Sequence, residues 1–155
     1  MRNYFNRRLI FCFLFFFTIT ASAQQTGRVN KFSLVPESVS GVSFKNEIIE
    51  DPEMFMYMYE NLYIGGGVSI GDINNDGLPD IYFSSTRGYN KLYLNLGNFH
   101  FKDITDAAGV NGGEGIKTGI TMVDINNDGY LDIFVCKSGF KDPRLRKKIF
   151  YCIPW

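Results

Sequence analysis

The segment GDINNDGLPDI, residues 71–81, returns almost unchanged as VDINNDGYLDI, residues 123–133. An internal repeat constrains the fold more than any other feature, because each copy must bury equivalent faces and stack on its neighbour. Asp72 and Asp124 stand 52 residues apart, and the match runs outward from the loops. GVSIGDINNDGLPDIYF lies over GITMVDINNDGYLDIFV, with Gly67 on Gly119, Ile81 on Ile133 and Phe83 on Val135.

Each unit reads as short strands broken by turn residues. In the first unit, GVSI and DIYFSS flank the acidic loop, NKLYLN follows TRGY, and NFHFKDIT follows LG. Their β-branched and aromatic content suits strands, and the Gly and Asn clusters suit turns. Thr105 is expected to cap a brief helical turn that ends at Gly109. Four strands in a unit of this length is the size of one propeller blade. In the second unit, KKIFYCIPW places Ile149 and Phe150 over Leu92 and Tyr93, with Cys152 in place of Asn95 and no Gly turn after it. The expected fold is therefore all-β: about two four-stranded antiparallel blades of an incomplete β-propeller, preceded by a signal-peptide helix. A propeller closes only with about four to eight blades. The chain is accordingly read as a fragment with uncovered strand edges and an uncovered apolar face.

The acidic loops carry the chemistry. Counting from Asp72, side-chain oxygens fall at positions one, three, five and nine, as Asp72, Asn74, Asp76 and Asp80. Gly77 at position six permits a positive φ and a sharp reversal, which would turn the Leu78 carbonyl inward. This all-oxygen set fits Ca²⁺, which takes six to eight oxygens at roughly 2.3–2.6 Å in irregular geometry. The second loop maps residue by residue onto Asp124, Asn126, Asp128, the Tyr130 carbonyl and Asp132. Two carboxylates about 4 Å apart repel by about 4 kcal/mol at an effective dielectric near 20. Three in one turn call for a cation, and their carboxylates are expected to converge on one point. Zinc is disfavoured by the lack of Cys or His, and Mg²⁺ by its preference for water-rich octahedral sites. Position twelve is Phe83 or Val135 instead of Glu, so neither loop is an EF-hand. The competing reading is an Asp/Asn-rich turn that holds no ion; two copies with every oxygen position kept weigh against it.

The N-terminus has a different character. Arg2, Arg7 and Arg8 precede the apolar run LIFCFLFFFTIT, and ASAQ follows with small residues at Ala21 and Ala23. This is the layout of a secretory signal peptide cut after Ala23, and the uninterrupted run Leu9–Phe17 is too short to span a bilayer. Export to the periplasm, cell surface or medium of a bacterium is expected, with no stable membrane span after cleavage. Cys12 lies inside the apolar run and leaves with it. The expected layout is residues 1–23 signal, 24–62 lead-in packing on the first blade, 63–110 first repeat and 111–155 an incomplete second repeat. Sixteen basic and sixteen acidic residues cancel, and removal of three arginines with the signal leaves a net charge of −3, no footprint for nucleic acid. Two cysteines remain, Cys136 and Cys152; an exported chain permits a bridge between them, but two do not make a framework.

Other candidates carry less. GVSIG, residues 67–71, matches Gly-x-Ser-x-Gly, but a nucleophile elbow needs a helix after the serine, and Ser69 runs toward the acidic loop. His100, the single histidine, sits between Phe99 and Phe101, where an exposed strand position explains it. The GGG at residues 65–67 lacks the following Lys or helix of a phosphate cradle and signals close backbone approach. The aromatic run Met54–Tyr63 is expected to pack beside the blades.

The segment GGGVSIGDINNDGLPDIYFSS, followed by NKLYLN and by Phe101, Asp103 and Thr105, resembles the FG-GAP-like or VCBS-type repeat of exported bacterial proteins. It is similar to the propeller of the cartilage acidic protein group and, more distantly, to that of integrin α-subunits. The resemblance runs from Phe44 to Phe150. It implies a non-enzymatic, calcium-binding module for a protein or glycan ligand. The rival expectation is a segment of a propeller enzyme, such as a polysaccharide lyase, with its active residues in further blades.

Overall fold

The computed structural model describes residues 31–48, 50, 52, 60–113, 115–138 and 148–152. The chain divides into Met1–Ser33 and Leu34–Trp155, and the elements lie in the second unit. Residues 1–23, the expected signal, are outside the described residues, as are Met54 to Tyr59 of the aromatic run. Among the described residues no helix is long and apolar enough to cross a membrane.

The first repeat folds as a four-stranded antiparallel meander, β1 (Val68–Gly71), β2 (Asp80–Phe83), β3 (Lys91–Asn95) and β4 (Phe101–Asp103). The second forms a three-stranded antiparallel sheet, β5 (Ile116–Val123), β6 (Asp132–Ser138) and β7 (Lys148–Tyr151). The all-β expectation holds, with both acidic loops bridging the first two strands of their sheets. Short helices α1 (Glu37–Ser40) and α2 (Thr105–Ala108) complete the elements with a 3-10 turn at Glu60–Tyr63.

Register assigns the faces, because side chains alternate along a strand. Ser69 pairs with Tyr82 and Tyr82 with Leu92, which puts these three on one face of the first sheet together with Gly67 and Gly71. Val68, Ile70, Ile81, Phe83 and Tyr93 take the other face. In the second sheet Ile120, Met122, Ile133, Val135, Ile149 and Tyr151 share one face, and Thr121, Val123, Phe134 and Phe150 the opposite one. The core forms where the Tyr82 face of the first sheet meets the Ile133 face of the second. Ile73, Tyr82, Leu92, Val110, Ile133 and Val135 are buried there, with Ile120, Met122, Ile149 and Tyr151 packed against them.

Glycines set how closely the sheets approach. A Cβ on Gly67 would lie 2.6 Å from the Thr118 carbonyl oxygen, and one on Gly71 would lie 2.7 Å from Leu131 Cδ1. Only hydrogen fits at those two positions, which accounts for the close-approach signal in GGGVSIG.

Residues 43–46 lie against the first repeat. Phe44 stacks on Phe83 with ring centroids 4.7 Å apart, and the Ser43 amide donates to the Tyr93 hydroxyl at 3.2 Å. Asn46 ties down the loop after β2, its Oδ1 accepting from the Thr86 amide at 2.8 Å. From the 3-10 turn, buried Leu62 packs with Ile116 of β5.

Two expectations need correction. Thr105 is the first residue of α2 instead of its cap: its Oγ1 accepts from the Leu92 amide at 2.9 Å, stitching β3 to the helix. The Asp103 carboxylate takes the Thr105 amide at 2.9 Å, while Gly109 ends the helix in the left-handed region as expected. The overlay of β7 on β3 shifts by one residue. Phe134 pairs with Phe150 as Tyr82 pairs with Leu92, so Phe150 and Tyr151 correspond to Leu92 and Tyr93. The hydroxyls agree with that shift, since Tyr151 accepts from the Gly112 amide at 3.0 Å much as Tyr93 accepts from Ser43.

Candidate metal centres

Each acidic loop is shaped by its own side chains. In the first, Asp72 accepts from the amides of Asp76 at 3.0 Å and Gly77 at 2.8 Å. Asn74 Oδ1 also accepts from the Asp76 amide, at 3.2 Å, while its Nδ2 donates to Asp76 Oδ2 at 2.9 Å. Asp76 Oδ1 takes the Leu78 amide at 2.8 Å, and Asp80 Oδ2 takes the Ile73 amide at 3.0 Å. The bonds to the amides of Asp76, Gly77 and Leu78 are of Asx type, in which a short polar side chain caps the backbone just after it, while the Asp80 bond runs back to the start of the loop. Gly77 sits at φ 85°, as its place in the turn requires, and Asn75 adopts φ 59°.

The second loop repeats the set. Asp124 accepts from Asp128 at 3.1 Å and Gly129 at 2.9 Å, Asn126 accepts from Asp128 at 3.0 Å, and Asn126 Nδ2 donates to Asp128 Oδ2 at 2.8 Å. Asp128 takes the Tyr130 amide at 2.9 Å, and Asp132 takes the Ile125 amide at 3.0 Å. Asn127 and Gly129 adopt φ 59° and 89°, within a few degrees of their counterparts.

The ninth-position carboxylates are anchored. Asp80 is fully buried, and its second oxygen takes the Asn95 amide of β3 at 2.7 Å. Burial holds its pKa above the usual carboxylate range, opposed by the amides of Asn95 and Ile73 and reinforced by the charges of Asp76 and Asp72. Asp132 is buried at the same place in the second sheet.

The expected convergence of carboxylates is not met: among the described residues no three His, Cys, Asp or Glu side chains gather as a set that could hold a metal ion. The physical reason lies in the bonds above. Uncompensated carboxylates repel, and each loop relieves this by aiming its oxygens at loop amides. The residue types nonetheless fit a hard cation, since the donors are all oxygen. A carboxylate offers about four lone-pair sites, so one amide bond per oxygen does not exhaust it.

Two neighbouring features escaped the sequence reading. Asn75 Nδ2 donates to the Gly129 carbonyl at 2.9 Å, joining one acidic loop to the other across the sheets. Its signal in the sequence is the Asn at position four of both loops, Asn75 and Asn127. Lys117 is fully buried, and its ammonium donates to the carbonyls of Gly88 and Gly113 at 2.7 Å each. Burial, with the charge of Lys137 nearby, lowers its pKa to about 8.

The remaining candidates fall where their neighbours dictate. Ser69 lies in β1 opposite Tyr82, with the acidic loop and no helix after it. His100 is exposed in the turn before β4. Cys136 and Cys152 are free thiols.

Comparison with known proteins converges on the same segment. Residues 66–135 match the FG-GAP-like repeat family, which bears out the resemblance read from the sequence. Cartilage acidic protein 1 of Xenopus tropicalis is 30% identical over 108 residues, covering 69% of this chain and 17% of that protein. The Mus musculus protein of the same name is 38% identical over 69 residues, and the Homo sapiens one 38% over 72 residues. Those two alignments cover 44% and 46% of this chain and 11% of each relative. The chain thus spans less than a fifth of the length of these relatives.

Proposed function

We infer, from the FG-GAP-like repeat that residues 66–135 carry, that the chain is an exported, calcium-stabilised repeat module that binds a protein or glycan and is not an enzyme. The observation that carries the calcium reading is the duplication of one oxygen-rich loop down to six hydrogen bonds of equal pattern. Asp72, Asn74, Asp76, the Leu78 carbonyl and Asp80 would hold one ion, and Asp124, Asn126, Asp128, the Tyr130 carbonyl and Asp132 the other. Bound Ca²⁺ would supply charge neutralisation, fixing each loop at the turn between the first two strands of its sheet. Asp80 and Asp132 hold the two ends of their loops together by accepting from the Ile73 and Ile125 amides.

Export rests on the basic, apolar and small-residue layout of residues 1–23. N-terminal sequencing of secreted material should begin at Gln24; an intact Met1 on a cytoplasmic product would refute it. The calcium reading is tested by melting. Affinity on the order of 10⁻⁴–10⁻³ M is expected of an extracellular module, and each site then stabilises the fold by about 2.7 kcal/mol at a hundredfold excess over Kd. A melting temperature indifferent to both Ca²⁺ and chelator would leave the loops as ordinary turns.

A further inference from the structure

We propose that Asn75 of the first acidic loop is a positioning residue for the second: it holds the Gly129–Tyr130 peptide in place and thereby tightens calcium binding by the Asp124–Asp132 loop. The proposal rests on the calcium reading of the loops and adds to it a dependence of one site on the neighbouring repeat.

Asn75 is not among the ligands read for its own loop. It stands at position four, between Asn74 and Asp76, with its backbone at φ 59°, a conformation that Asn adopts more readily than most residues. The first loop fixes that backbone, since the Asp76 amide just after it donates to both Asp72 and Asn74. From there Asn75 Nδ2 donates to the Gly129 carbonyl at 2.9 Å, 54 residues along the chain. The bond is made between the two described repeats and involves neither outer sheet face.

What Asn75 grips decides its effect. A peptide unit is planar, and the Gly129–Tyr130 unit is tied at both ends. Asn75 holds its carbonyl, and Asp128 Oδ1 accepts from its N–H at 2.9 Å. Asp128 Oδ2 in turn accepts from Asn126 Nδ2 at 2.8 Å. Asn75, the peptide, Asp128 and Asn126 thus form one chain of hydrogen bonds, and only φ and ψ of Tyr130 separate that peptide from the Tyr130 carbonyl. Asp128, Asn126 and this carbonyl are three of the oxygen donors read for the second ion. Ordering them before an ion arrives lowers the cost of binding, which is gained as affinity.

The first loop lacks this support. Its matching Gly77–Leu78 peptide has its N–H on Asp76 Oδ1 at 2.8 Å, but among the described residues no side chain donates to the Gly77 carbonyl. Asn127 shares the φ of Asn75, yet among the described residues its side chain makes no matching bond. The dependence therefore runs one way.

Calcium titration of the isotope-labelled full chain tests this by NMR, with the Gly77 and Gly129 amides reporting the two loops separately. Asn75→Gly removes the side chain and keeps the left-handed backbone accessible. It should raise the calcium Kd read at Gly129 by about two- to fivefold, the lower part of what one hydrogen bond is worth, because the bond is exposed. Asn127→Gly, the same change in the other loop, should leave the Kd read at Gly77 unchanged. In calcium-free chain, the Tyr130 amide should exchange with solvent faster in Asn75→Gly than in wild type, a readout that needs no ion. An unchanged exchange rate, a Gly129 Kd unmoved by Asn75→Gly, or a Gly77 Kd moved as far by Asn127→Gly would each overturn the proposal while leaving calcium binding intact. Wild-type amides that ignore Ca²⁺ at both glycines would overturn the calcium reading and this proposal with it.

Discussion

The two acidic loops and the two sheet faces beneath them respond differently to the same duplication. Loop against loop, six hydrogen bonds recur with lengths that agree within about 0.2 Å. Face against face, identical or equivalent residues part company: Ile73 is buried and Ile125 exposed, Leu92 is buried and Phe150 half-exposed. The loop is fixed by side chains within nine positions of one another, so copying the sequence copies the geometry. Burial depends on which sheet lies alongside, and only the first sheet has a described neighbour on its Tyr82 face.

That contrast is open to direct attack. The largest expected effect is at the isoleucine pair. Ile73→Ala should cost about 2–5 kcal/mol, the usual range for a truncated core side chain, whereas Ile125→Ala should stay near the roughly 0.5 kcal/mol of surface changes. Denaturant midpoints for the two variants supply the comparison, and equal losses would break it.

The glycine pair should differ in sign. Gly67→Ala forces a methyl against the Thr118 carbonyl, with a penalty of about 1–3 kcal/mol expected for overpacking. At Gly119 the nearest atoms to a new Cβ are those of Cys136 at 3.8 Å, so Gly119→Ala should be neutral or stabilise by up to about 1 kcal/mol through the unfolded chain. Thermal melts of both variants would show it.

A pH titration sharpens the comparison at β5, where buried Lys117 stands at the position that Gly65 holds in the first repeat. Its folded pKa of about 8 lies below the ordinary lysine value of 10.5, so between these limits the unfolded chain binds more protons. Stability should therefore rise with pH across that window, by at most about 1.4 kcal/mol per pH unit from this group. Lys117→Met should flatten the slope between pH 8 and 10 in urea melts; an unchanged slope would remove Lys117 as its cause. The smallest effect is at the clasp. Asn75→Ala should cost about 0.5–1.5 kcal/mol more than Asn127→Ala, since both lose a residue suited to φ 59° but only Asn75 spans the sheets.

What the sequence disclosed follows the same division. The loops, β1, β2 and the close approach at Gly67 were legible, because each is written in residues a few positions apart. The pairing of β7 was not: Ile149 and Phe150 are both apolar, and only the register with β6 decides which of them answers to Leu92. Thr105 looked like a cap because helix starts favour it, yet the β3 amide of Leu92 claims its hydroxyl from across the sheet. The ammonium of Lys117, held by two loop carbonyls, and the Asn75 clasp are long-range facts of the same kind. The convergence expected of Asp72, Asp76 and Asp80 is not seen, because amides of the loop itself draw these oxygens, each of which keeps a further lone pair.

Calcium calorimetry on the full chain and on two loop variants tests the central reading most directly. Two bound Ca²⁺ are expected in wild type, one in Asp76→Ala, one in Asp128→Ala and none in the double variant. No calcium heat in wild type, or a stoichiometry that neither substitution lowers, would contradict it.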